Sequence, residues 1–101
     1  MEKELGAPVL ETKEEKGMRI AAAMREQTER EPSEHHRFVM DGMLAKFEAA
    51  VASPEDTELR ADAVKSLDMG DNYLGERYRD TREERAYLQA INEAAAYLRS
   101  L

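Results

Sequence analysis

The sequence predicts an all-α fold: a three- to four-helix antiparallel up-down bundle behind a mobile N-terminal tail. Three observations lead there. Apolar residues recur at spacings of three and four along most of the chain, which is the signature of one buried helix face. Helix-start signals stand at four points, each just before such a stripe. No stretch alternates with period two for long enough to suggest a strand.

Residues 1–11 carry Gly6 and Pro8 and no sustained period, so they read as a flexible N-terminal tail. Residues 12–101 read as a single helical-bundle domain. Thr12 with Glu15 is a capping box, in which hydroxyl and carboxylate each satisfy the other's backbone donor. The first helix then buries Gly17, Ile20, Ala21 and Met24, and Pro32 ends it by disfavouring helical backbone at Glu31. Ser33 is the N-cap of a second helix running to about Ala52, with the cleanest stripe in the chain: Met40, Met43, Leu44, Phe47, Ala50 and Val51. Gly42 lies off that stripe.

Ser53-Pro54-Glu55-Asp56 reads as the start of a third helix: an N-cap serine, proline at the first turn, then carboxylates at the positive end of the dipole. Leu59, Ala63, Leu67, Gly70, Leu74 and Tyr78 form one face of it. The weak helix formers in Asp68-Met69-Gly70-Asp71-Asn72 suggest a kink or short loop there. Thr81 with Glu84 is a second capping box and opens a last helix, whose buried face is Glu84, Tyr87, Leu88, Ile91, Ala94, Ala95 and Leu98. Connections this short favour antiparallel neighbours.

Composition bounds the function. The chain has 101 residues, which is one domain or less. A core of this size gives a net stability of about 5–10 kcal/mol and little reserve for a strained catalytic site. Charged residues make up 37% of the chain, with a net charge of −7. That balance argues against a polyanion-binding surface, which concentrates Lys and Arg. Residues 1–58 carry 14 acids against 8 bases, and residues 59–101 carry 8 acids against 7 bases. There is no cysteine, which excludes a disulfide framework and a thiolate nucleophile. No apolar run is long enough to span a bilayer, and Met1–Leu10 lacks the pattern of a secretory signal. A soluble, cytoplasmic protein is the expectation, with no membrane and no direct nucleic-acid partner.

Few residues suggest chemistry. His35 and His36 are the two histidines. Adjacent helical residues point about 100° apart, unlike an i, i+4 chelating pair, so they serve as metal ligands only if carboxylates come from elsewhere. Their expected role is structural, with His36 closing the end of the core. Asp68, Asp71 and Asn72 lack the spacing and closing glutamate of a calcium loop. Residues 76–85 hold four arginines and four carboxylates, a self-pairing charged junction rather than a phosphate clamp. No phosphate-cradling glycine loop and no nucleophile elbow occurs.

The four tyrosines all lie in the last third. Tyr78 and Tyr87 fall on core faces with their hydroxyls at the rim, whereas Tyr73 and Tyr97 lie towards flanking or exposed faces. Exposed tyrosines are common interface anchors, and flexible methionines (Met18, Met24, Met40, Met43, Met69) suit surfaces that repack.

The resulting expectation is a small acidic helical protein–protein interaction module, not an enzyme and without a cofactor: an adaptor, a chaperone-like subunit or an inhibitor acting by surface occupation. Its binding residues are Val9 and Leu10 in the tail and Tyr73 and Tyr97 on the bundle. Its partner is another protein or a second copy in a homodimer. One alternative is a metal- or ligand-binding bundle using His35, His36 and carboxylates. A further alternative is an acidic, phage-type inhibitor of a nucleic-acid-binding machine.

Overall fold

A computed structural model describes residues 11–75 and 81–101. The expected tail up to Leu10, and Tyr78 with the charged residues 76–80, lie outside the described residues. Four helices run in chain order: α1 (Lys13–Arg30), α2 (Glu34–Ala52), α3 (Thr57–Gly75) and α4 (Arg82–Arg99). Each packs against the next, and α1 closes against α4, giving an up-down bundle. Among the described residues the backbones of α1 and α3 sit at opposite corners with no close approach, while those of α2 and α4 come near across the other diagonal. No described helix is long and apolar enough to cross a membrane.

The starts of α1 and α4 are set as the capping boxes predict. The Thr12 hydroxyl accepts from the Glu15 N–H at 3.0 Å, and the Glu15 carboxylate accepts from the Thr12 N–H at 2.9 Å. Thr81 and Glu84 repeat the exchange at 3.0 and 3.1 Å. Ser33 caps α2 by accepting from the His36 N–H at 3.3 Å.

The start of α3 differs from the sequence expectation. Ser53 belongs to the end of α2, where its N–H donates to the Ala49 carbonyl. Its own carbonyl then accepts from the Asp56 N–H at 3.0 Å, closing a turn over Pro54 and Glu55. Proline fits the second position of such a turn as well as it fits a first helical turn. Asp56 is the cap instead, its carboxylate accepting from the Glu58 and Leu59 N–H groups at 3.0 and 3.1 Å. The expected break around Gly70 is also absent: α3 is one helix from Thr57 to Gly75.

The stripes converge on one core. Ile20 and Met24 from α1, Met40, Met43, Leu44 and Phe47 from α2, Ala63, Leu67 and Leu74 from α3, and Tyr87, Ile91 and Leu98 from α4 are all buried. At about 25 cal/mol per Å² of apolar surface removed from water, this burial is the main favourable term. Among the described residues an exposed ion pair bridges each neighbouring pair of helices: Arg25–Glu48 for α1 and α2, Lys46–Asp62 for α2 and α3, Arg99–Asp68 for α3 and α4, and Arg19–Glu93 for α1 and α4. Exposed pairs of this kind add little to stability. Arg19 also holds Glu11, the last residue of the expected tail, at 2.8 Å.

Two helical glycines mark places of close approach. A Cβ on Gly70 would collide with the Met43 thioether, so the missing side chain is what lets Met43 enter the α2–α3 seam. A Cβ on Gly17 would lie 2.9 Å from the Tyr97 hydroxyl and 3.1 Å from Val51. Gly42, by contrast, faces open space. We expect Gly42→Ala to raise stability by about 0.5–1 kcal/mol through helix propensity. Gly17→Ala and Gly70→Ala should lower it, because overpacking costs about 1–3 kcal/mol. Urea denaturation of the three variants checks the ordering.

Candidate functional site

Of the four residues expected to bind a partner, the described structure places two. Val9 and Leu10 lie outside the described residues. Tyr97 is buried, at 5% exposure, which corrects its expected place on an outer face. It sits beside the core stripe of α4, and Gly17 gives its ring room against α1. Its hydroxyl donates to the Lys13 carbonyl at 2.6 Å, tying the end of α4 to the first turn of α1. Burial pushes the Tyr97 phenol above its ordinary range, with the Glu14 charge adding to the effect. Tyr87 is pushed further the same way by burial, and its hydroxyl is buried rather than at the rim.

Tyr73 is 42% exposed, in the last turn of α3. Around it the fold gathers both histidines from the first turn of α2. The ring centroids of His35 and Tyr73 are 5.7 Å apart, edge to face, and those of His36 and Tyr73 are 6.1 Å apart. His36 is half-buried, with Nδ1 3.6 Å from the Glu31 carboxylate. That carboxylate accepts from the Ser33 N–H at 3.0 Å, and the Glu31 carbonyl accepts from the Arg37 guanidinium at 2.7 and 3.2 Å. Glu31, His36 and Arg37 therefore lock the α1–α2 turn, while His35 stays exposed.

The two imidazole centroids are 6.2 Å apart and tilted by 49°. A shared ion would need both nitrogens within about 2.0–2.1 Å of it. Among the described residues, no three His, Asp or Glu side chains are grouped to hold a metal. Asp68 and Asp71 face α4 instead. Asp68 pairs with Arg99 at 2.8 Å, and Asp71 accepts from the Asn92 amide at 3.4 Å.

Two open grooves flank α3. The groove towards α2, about 510 Å³, is lined by Val39, Met43, Met69 and Tyr73, with the Lys46–Asp62 pair at its edge. The groove towards α4, about 610 Å³, is lined by Ala61, Val64, Met69 and Leu98 together with Arg60 and Lys65. Met69, 61% exposed, is the ridge between them. Sequence reasoning placed Tyr73 but missed Val64, Arg60 and Lys65. The available signal was that Val64 and Met69 are apolar yet lie off the main α3 stripe. Phe38 is also exposed, at 79%, on the outer side of α2.

No protein-family model, no curated protein and no solved structure matches this chain.

The two tyrosines make the fold sensitive to alkali. Their folded-state pKa values lie above the unfolded value of about 10, so the stability they contribute is complete below that pH. It is lost as pH rises through the higher folded values. The melting temperature should therefore hold from pH 7 to 9 and fall steeply above about pH 10. Tyr97→Phe should cost about 0.5–1.5 kcal/mol at neutral pH and flatten the alkaline fall. An unchanged profile in that variant would remove Tyr97 as a contributor.

Proposed function

We propose that this chain is a small acidic helical protein–protein interaction module, acting by occupying a partner's surface and catalysing nothing itself. Adaptor, chaperone-like subunit and inhibitor are the roles that fit, in a cytoplasmic setting. The observation that supports the reading is the outer face of α3. Met69 and Tyr73 stand exposed on a helix whose inner face is already packed, and an apolar groove opens on each side of them. Contiguous exposed apolar surface of this kind marks docking sites. A ridge of methionine beside an aromatic anchor suits a surface that adapts to its partner. The edge contacts of Tyr73 with His35 and His36 restrict its ring, which lowers the entropy lost on binding.

A photo-crosslinking amino acid placed at position 69 or 73, in the full chain expressed in its own host, tests the proposal. The expected result is one discrete adduct at both positions, absent when the same group stands at exposed Ala22 on α1. Its mass distinguishes a second copy from a different protein. Tyr73→Ala should weaken the adduct while leaving helicity unchanged by circular dichroism. Equal labelling at positions 22, 69 and 73 would overturn the assignment.

A further inference from the structure

The α3–α4 groove has a charge character opposite to that of the chain as a whole. The net charge is −7, yet two cations stand on this groove uncommitted. The Arg60 guanidinium has no hydrogen bond or ion pair among the described residues, and its Nε is buried without a partner. Lys65 likewise has no carboxylate partner among the described residues. Residues five apart on a helix point about 140° apart, so Arg60 and Lys65 bracket the strip formed by Ala61 and Val64. The acids nearby are committed or distant. Asp68 is held by Arg99 at 2.8 Å, Asp62 is held by Lys46 at 3.0 Å, and Asp56 caps the backbone of α3. Glu58, exposed, is two residues before Arg60 but points about 160° away from it, and it lies about 10 Å along the axis from Lys65.

The groove runs beside α3 from Thr57 to Asn72, which at 1.5 Å per residue is about 22 Å, or four helical turns. Its floor is apolar, made by Ala61, Val64 and Leu98. A straight apolar trough of that length fits the face of an amphipathic helix. The Arg60 guanidinium, without an ion pair among the described residues, fits a carboxylate, which guanidinium groups hold in paired, charge-assisted hydrogen bonds. We propose that the α3–α4 groove docks an acidic amphipathic helix from a partner protein. Its apolar stripe lies on Ala61, Val64 and Leu98, and its flanking carboxylates meet Arg60 and Lys65. This inference rests on the interaction-module reading and names the chemistry of the segment bound.

Two designed 18-residue helical peptides with the same Leu/Ala stripe test it, one flanked by Glu and the other by Lys. Each is titrated into the full chain, with binding read by fluorescence anisotropy and the site by amide chemical shifts. Because the chain is acidic overall, unspecific attraction favours the Lys peptide, so the design is biased against the proposal. The expected result is binding of the Glu peptide at least tenfold tighter than the Lys peptide. Shifts should be confined to residues 57–72 and 98–99, and affinity should fall as salt rises. Arg60→Glu with Lys65→Glu should reverse the preference, and Arg60→Gln with Lys65→Gln should abolish it with helicity unchanged. Equal binding of both peptides in the groove would overturn the acidic partner while leaving the docking face in place. Shifts elsewhere, or no binding by the Glu peptide, would overturn the proposal. No crosslink at positions 69 and 73 would, separately, remove the interaction-module reading. Self-association of the free chain that the Glu peptide competes away would replace the partner protein with a second copy.

Discussion

How near the helices lie to one another is governed by two notches where a side chain from one helix fills the space a neighbour's glycine leaves empty. Met43 enters α3 at Gly70, and Tyr97 lies over α1 at Gly17. Protein interiors are packed like organic solids, so such seats limit how the helices can approach one another. The Met43 seat draws α2 and α3 together, which leaves Met69 and Tyr73 as a ridge above the seam. The Tyr97 seat joins the first and last helices, and its hydroxyl carries the joint to the Lys13 carbonyl. The grooves flanking α3 are the spaces left once these seats are filled.

The four bridging ion pairs serve this arrangement in a different way. Exposed pairs add little stability, but among the described residues they span every neighbouring pair of helices in the ring. Hydrophobic stripes alone are permissive about helix order, because any apolar face satisfies any other. The charges fit this arrangement, and the core supplies the driving force. In a chain with 37% charged residues, this use of the surface is inexpensive.

Much of the architecture was legible in the sequence because its causes are local and periodic. The stripes of α2 and α4 could be read residue by residue, since burial follows the helical repeat. Both capping boxes could be read as well, because the two partners stand three residues apart. What could not be read depends on neighbours distant in sequence. Ser53 and Asp56 are both competent caps, and the choice between them falls to α2, whose last carbonyls claim the Ser53 N–H. The weak helix formers around Gly70 suggest a break until Met43 is known to fill the notch. Tyr97 and Tyr73 look alike in sequence, yet the width of the buried arc on α4 is set by Gly17 on another helix. Arg60 and Lys65 acquire a shared groove only once Leu98 is known to stand opposite them.

The wide separation of the α1 and α3 backbones across the ring gives the molecule a front and a back. A body pressing on α3 reaches α1 only through α2 or α4, and each of those is pinned to α1 at its own seam. Any shift of α3 is thereby passed to α1 second-hand, through the seams where Tyr97 and Val51 close over Gly17.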